Sequence, residues 1–222
     1  MSTDHESIYG SNKPLLEEVA SEVMDEIQAV RGRLRAETGI DPVEHCLYRI
    51  KREASMRDKC DRKGLPQTAR SALVTIHDAI GIRVVCAFRS DVYAVRDHLA
   101  SLPGFEVTQE KDFIRNAKPN GYRSYHMIMR TCDGRVPTDC EPDPSDADAE
   151  PVRGVYLEIQ LRTISMDTWA VLDHQLQYKQ EMVGNAKLIS SELKRCADEL
   201  ASTDLSMQAI RDMIADARKE TE

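Results

Sequence analysis

Lys111-Asp112-Phe113-Ile114-Arg115-Asn116-Ala117-Lys118-Pro119-Asn120-Gly121-Tyr122-Arg123-Ser124-Tyr125-His126 gathers cations, amides, aromatic rings and a turn signal into sixteen residues. Pro119-Asn120-Gly121 is the turn, and the runs on either side can extend as strands. The stretch therefore reads as a hairpin presenting polar groups at one edge of a sheet. A charged surface hairpin has the same composition, so the flanking sequence has to decide what the turn is for.

Working outward, residues 124–131 alternate Tyr125, Met127 and Met129 against His126, Ile128 and Arg130, a strand apolar enough on both faces to lie inside a sheet. Residues 155–161 alternate again, with Glu158 and Gln160 sharing one face. A carboxylate in so apolar a strand is costly unless it is paired or binds a metal. Upstream, residues 105–108 suggest a short strand and residues 77–88 enter a buried, β-branched one, with Asp78 and Arg83 at its mouth. Taken alone, Asp78 reads as a turn or capping carboxylate. His77-Asp78 is also the pair used by metal-dependent phosphohydrolases, but that chemistry needs further His and Asp ligands, and the six histidines are scattered singly.

Helices surround these strands. Ser11-Asn12-Lys13-Pro14 starts one whose apolar stripe runs Leu16, Val19, Ala20, Val23, Ile27, Val30, Leu34 and stops near Gly39, as a helix packed on a domain does. Residues 44–63 form a basic island. Arg49 and Lys51 share a side if extended, and Lys59 and Arg62 share a face on a helix beginning near Ala54. A solvated, salt-bridged helix has the same charges. A short helix is expected over residues 68–76, another is capped by Ser90-Asp91, and a third spans residues 164–178. Residues 185–222 read as one or two amphipathic helices, interrupted near Ser202-Thr203-Asp204. Residues 1–10 are expected to be disordered, and the acidic, Pro-containing segment 133–150 to be a mobile loop or hairpin tip.

Composition bounds the function. The 222 residues are 41% hydrophobic and 31% charged. That is enough for one domain with helical extensions. A net charge of −8 argues against general attraction to nucleic acid or anionic membrane. An anion site must therefore be a local basic island. Six cysteines without a Cys-x-x-Cys pair, an acidic polar start and the lack of any bilayer-length apolar run lead to the expectation of a reduced, cytoplasmic protein without zinc or membrane contact. No glycine-rich phosphate loop is present, so side chains must hold any phosphates. Two basic islands, Tyr122 on a turn and two carboxylates at strand ends suit two nucleotides with a divalent cation between them. Mg²⁺ favours such oxygen ligands when phosphates complete its shell.

Asp78-x-x-Gly81-x-Arg83, residues 111–126 and Glu158-Ile159-Gln160-Leu161-Arg162-Thr163, in that order, with Arg49-x-Lys51, Ser55, Lys59 and Arg62 upstream, resemble the synthetase domain of RelA/SpoT proteins. The resemblance covers roughly residues 44–178. It lacks the hydrolase and regulatory domains of the long members and so resembles a stand-alone small alarmone synthetase. It implies an α/β (α+β) fold: a mixed, nucleotidyltransferase-like sheet flanked by helices, with long N- and C-terminal helices. Residues 11–184 would be the synthetase domain and residues 185–222 an oligomerisation element, with a homotetramer favoured.

The implied reaction moves the β,γ-pyrophosphate of ATP to the 3′-hydroxyl of GTP or GDP, giving (p)ppGpp and AMP. On this resemblance Arg49 and Arg83 sandwich adenine, and Lys51, Ser55, Lys59 and Arg62 serve the ATP phosphates. Tyr122 stacks guanine. Lys111, Lys118, Asn120 and His126 hold the acceptor's phosphates and ribose, and Gln160 orients the ribose or a metal-bound water. Asp78 binds Mg²⁺, and Glu158 shares it or takes the hydroxyl proton. Asn116-Ala117-Lys118 departs from the usual Asn-Pro-Lys. Two rival readings remain: a related pyrophosphokinase acting on a tRNA 3′ end or an adenine nucleotide, and an idle oligomer binding nucleotide or single-stranded RNA. The net charge disfavours RNA, and the two retained carboxylates disfavour idleness.

Overall fold

The computed structural model describes residues 7–141, 151–180 and 185–219. Its centre is a five-stranded sheet built from β1 (Val43–Ile50), β2 (Ile80–Cys86), β3 (Phe105–Asp112), β4 (Tyr125–Thr131) and β5 (Tyr156–Thr163), in the order β1-β2-β5-β4-β3. The β2–β5 pair is parallel and the other three are antiparallel. This mixed, helix-flanked sheet matches the expected α+β architecture. β5, which carries Glu158, is the middle strand, and β4 is its inner neighbour.

Strand alternation divides the sheet into two unlike faces. Ile80, Ile82, Val84, Leu157, Ile159, Leu161, Met127 and Met129 are buried in a continuous core. Arg49, Gly81, Arg83, Glu158, Gln160 and His126 fall at the alternate positions, joined by the register pairs Arg49↔Gly81, Gly81↔Glu158, Arg83↔Gln160 and His126↔Gln160. The strand pattern thus lines up the charged residues of four separate segments on one side.

Helix α1 (Lys13–Thr38) turns Leu16, Val19, Ala20, Val23, Ile27 and Val30, all fully buried, toward the core and ends at Gly39 in the left-handed conformation. Burial of each of its larger apolar side chains is worth about 1.5–3 kcal/mol, so the stripe is committed to this domain. Helices α2 (Glu53–Lys63), α3 (Arg89–Ala100) and α4 (Ile164–Gln180) follow their strands, and α5 (Ala186–Lys219) ends the described chain. The carboxylate of Asp91 caps α3 by accepting from the Phe88 N–H at 3.1 Å, one half of a capping box.

Three sequence expectations need correction, and one is made definite. Residues 7–10 are not disordered: Ile8 and Tyr9 are buried, and the Tyr9 hydroxyl donates to the Lys51 carbonyl at 2.6 Å; residues 1–6 lie outside the described residues. In the acidic segment, residues 133–141 are tied down. Arg135 pairs with Glu22 at 2.6 Å, the Thr138 N–H donates to Asn12 at 2.7 Å, and Cys140 is buried; residues 142–150 lie outside the described residues. The short helix expected over residues 68–76 is present, as a π-helical segment at Ser71–Thr75. Finally, α5 runs through Ser202-Thr203-Asp204 without a break. The modest helix preference of these residues is offset by tertiary bonds such as Thr163 Oγ1 to Asp204 at 2.5 Å.

Candidate active site

The polar face of the sheet carries a cavity of about 330 Å³ lined by Leu47, Tyr48, Arg49, Gly81, Ile82, Arg83, Glu158 and Gln160. Arg49 crosses Gly81, where a Cβ would meet the Arg49 side chain at 3.9 Å. Burial, then the neighbouring Arg162, lower the Arg83 guanidinium from its ordinary value, with Asp167 opposing.

A charge cluster gathers around Asp78. Lys51, one residue beyond β1, is fixed by its N–H to the Ala79 carbonyl at 2.8 Å and by Tyr9 on its own carbonyl. Both Lys51 and Lys59 donate to Asp78 Oδ2, the latter at 2.6 Å. Burial pushes the Asp78 carboxyl up, but the two ammonium groups outweigh it and hold the group below its ordinary value. Among the described residues, Asp78 Oδ1 is buried with no hydrogen-bond partner. Such an unsatisfied oxygen is costly in a structural carboxylate and is what a cation ligand offers. Ser55 and Arg62, both exposed, line a separate open depression with Asp58 and Asp61. Lys59 is therefore brought to Asp78, while these two stand apart.

A second cluster centres on Glu158. His126 Nδ1 approaches Glu158 Oε1 at 3.5 Å, and Gln160 Nε2 donates to Oε2 at 3.1 Å. The His126 contact holds the Glu158 carboxyl below its ordinary value against burial and the charge of Asp78. His126 Nε2 lies 2.8 Å from the Tyr122 hydroxyl. Tyr122 is packed edge-on by Phe113 and His126 and tilted against Trp169, with the Lys118 ammonium 4.8 Å above its ring. Lys111 is exposed on β3, opposite His126 in register. Asn120 accepts the Tyr122 N–H at 3.2 Å, so its visible work is to shape the turn.

The connection carrying Tyr122 is longer than a tight hairpin: β3 stops at Asp112 and β4 begins at Tyr125. Asp112 Oδ1 accepts the N–H groups of Ile114 and Arg115 at 2.9 Å, and Gly121 closes the turn onto the Lys118 carbonyl at 2.8 Å. Gly121 has φ +92°, and a Cβ there would stand 2.6 Å from the Ala197 Cβ of α5. Arg123 extends the contact to Asp198 at 3.2 Å. The loop thus rests directly on the C-terminal helix.

Two residues in this site were given no role from sequence. Arg162, almost fully buried at the end of β5, donates to Asp167 at 2.8 Å, to Tyr122 Oη at 3.0 Å and to Gln160 Oε1 at 2.8 Å. Asp167, in the first turn of α4, also stands 3.5 Å from Arg83. The signal for Arg162 was a guanidinium within an otherwise buried run; for Asp167, an exposed-looking helical acid, there was none.

The sequence matches the region found in RelA / SpoT proteins over residues 48–183. It is 35% identical to GTP pyrophosphokinase YwaC of Bacillus subtilis (strain 168) over 175 residues, 78% of this chain and 76% of that one. The fold is similar to the crystal structure of small alarmone synthetase 2 from Bacillus subtilis, with 31% identity, a TM-score of 0.70 and coverage of 91% of this chain and 98% of that chain. It is similar also to small alarmone synthetase 1 from the same organism, solved bound to its product pppGpp, at 28% identity, TM-score 0.70 and coverage of 90% and 94%. The chain belongs to the RelA/SpoT family.

Proposed function

We propose that the protein is a (p)ppGpp synthetase, a GTP pyrophosphokinase that moves the β,γ-pyrophosphate of ATP to the 3′-hydroxyl of GTP or GDP. The observation that carries the reading is the grouping of Glu158 with Arg49 and Arg83 around one cavity on the polar sheet face, with Asp78 near enough for its charge to act on Glu158. In the transfer, the acceptor 3′-oxygen attacks the β-phosphorus of ATP, the bond from that phosphorus to the α,β-bridging oxygen breaks, and AMP leaves. The proton of the 3′-hydroxyl must depart, and Glu158, held ionised by its contact with His126, is the base suited to receive it.

Arg49 and Arg83 present flat guanidinium groups to the cavity, suited to both faces of an adenine. Lys51 and Lys59 bond to Asp78, and a triphosphate competes for them as a denser anion. Ser55 and Arg62 stand apart in an open depression and would meet only phosphates that extend toward it. Asp78, through its unpartnered Oδ1, together with Glu158, suits Mg²⁺ completed by phosphate oxygens. When bound, that ion offsets charge developing on the transferring group. Tyr122 offers a ring for guanine in exchange for the Lys118 ammonium above it, a contact worth about 1–3 kcal/mol. Lys111, Lys118 and His126 face the acceptor's phosphates and ribose, and Gln160 and Asn120 orient them.

Self-association, with a tetramer favoured by resemblance, is supported by the apolar side chains that α4 and α5 leave exposed, among them Leu172, Leu176, Leu205, Ile210 and Met213. Purified protein given Mg²⁺, terminally labelled ATP and GDP is expected to release AMP and form a labelled 3′-pyrophosphorylated guanosine nucleotide. Label on tRNA or adenine nucleotide in preference to GDP overturns the acceptor assignment.

A further inference from the structure

Two chains of polar contacts leave the guanidinium of Arg162 and end on the same carboxylate. One runs from Arg162 to the Tyr122 hydroxyl at 3.0 Å, from there to His126 Nε2 at 2.8 Å, and from His126 Nδ1 to Glu158 Oε1 at 3.5 Å. The other runs from Arg162 to Gln160 Oε1 at 2.8 Å and from Gln160 Nε2 to Glu158 Oε2 at 3.1 Å. Because Arg162 can only donate, it sets the sense of both. Tyr122 accepts from Arg162 and is free to donate to His126. A neutral His126 carrying its proton on Nδ1 then points that proton at Glu158. Gln160, with its carbonyl held by Arg162, must turn its amide N–H groups toward Glu158.

Asp167 fixes the source of both chains. Its Oδ1 accepts from Arg162 at 2.8 Å and lies 3.5 Å from Arg83, so one carboxylate on α4 contacts both the Arg162 hub and a guanidinium of the cavity wall. The Arg162 and Asp167 side chains are only 6% and 14% exposed. Solvent therefore screens the pair little. The Arg162 guanidinium also lies 5.4 Å from the centre of the Tyr122 ring. It thus restrains the aromatic plane as well as its hydroxyl.

We propose that Arg162, anchored by Asp167, is a positioning residue that orients the proton acceptor Glu158 through two arms of polar contacts and the acceptor-base platform Tyr122 through one of them. This rests on the pyrophosphokinase reading and assigns Arg162 no contact with substrate. Arg162→Lys keeps the charge but loses the planar fork that serves three acceptors at once. It is expected to lower kcat and raise the acceptor KM, together reducing kcat/KM for GDP by about 10- to 100-fold. The KM for ATP should stay within about threefold. Tyr122→Phe cuts one arm and keeps the ring, so its loss should be smaller and, in the double variant with Arg162→Lys, less than additive. Asp167→Asn should lower kcat in the same direction while also raising the KM for ATP through Arg83.

The experiment is a steady-state comparison of wild type, these three variants and the double variant with ATP and GDP, alongside thermal unfolding of each. A split between the two KM values and a sub-additive double variant support the assignment. Arg162→Lys kinetics within twofold of wild type overturn it, as does an equal loss for both nucleotides that tracks thermal stability. If Arg162→Lys fails to fold, a Tyr122→Phe variant with unchanged kcat and acceptor KM overturns it equally. A wild-type chain that makes no product, by contrast, overturns the pyrophosphokinase reading itself.

Discussion

The two halves of the polar face are organised by different forces. On the β1–β2 side, Lys51 and Lys59 converge on the single carboxylate of Asp78 from the end of a strand and from α2, so the arrangement is mainly electrostatic and rides on regular elements. On the β4–β5 side, Tyr122, His126, Gln160 and Arg162 form a hydrogen-bonded circuit around Glu158, with Tyr122 on a loop that leans on α5. A pocket for polyphosphate can be built from charge and tolerate some displacement. A pocket for a base and a hydroxyl needs angles, and those come from directed hydrogen bonds propped by a second element.

Glu158, where the halves meet, is the largest test of that contrast. Glu158→Gln should cut kcat by roughly 10²–10⁴-fold, the range of general-base catalysis, with KM changes of only a few-fold for either nucleotide. Equal, large increases in both KM values would show instead that the residue holds the site together.

Gly121→Ala probes the propped half alone. The substitution needs a left-handed φ of +92° and collides with Ala197. Such backbone strain costs about 1–3 kcal/mol. Up to about a 100-fold rise in the acceptor KM is expected, with the KM for ATP unmoved. Ala197→Gly in the same chain should recover part of the loss by relieving the collision but leaving the backbone strain.

The complementary break on the charged half is gentler. Tyr9→Phe removes the hydroxyl bound to the Lys51 carbonyl. The loss should cost about 1 kcal/mol of stability in denaturant titrations. Any kinetic effect should fall on the KM for ATP. A change confined to the acceptor would place Tyr9 in the wrong half.

Smallest of all is the effect of acid. Asp78 and Glu158 both have folded-state pKa values below their ordinary values of 3.8 and 4.5. Each therefore contributes stability that is complete above those ordinary values and disappears as pH falls through the lower folded ones. Unfolding temperatures attributable to these groups should be flat from neutral pH to about 5 and fall below about 4. Asp78→Asn should make that fall shallower. A decline starting near pH 6 would mean that another group governs it.

Much of this was legible because periodicity and chemistry coincided. The alternating or β-branched runs of β2, β4 and β5 read as strands, and Glu158 declared itself as an acid in apolar surroundings. β1 was harder, since Glu44, His45, Arg49 and other exposed side chains of an edge strand mask its extended character. Ile8 and Tyr9 form too short a run for periodicity to register, yet their burial orders the start of the described chain. The pairing of Arg162 with Asp167 spans a strand-to-helix junction, where neither a period of two nor one of 3.6 relates the residues. Their joint role emerges only once Tyr122 and Gln160 are brought alongside them.

The central claim is tested most directly by incubating the purified chain with Mg²⁺, GDP and ATP labelled on its terminal phosphate. AMP and a guanosine product carrying the label at its 3′ position are expected in equal amounts, with neither formed by Glu158→Gln. Release of ADP or free phosphate in place of AMP, or wild-type turnover retained by Glu158→Gln, would contradict it.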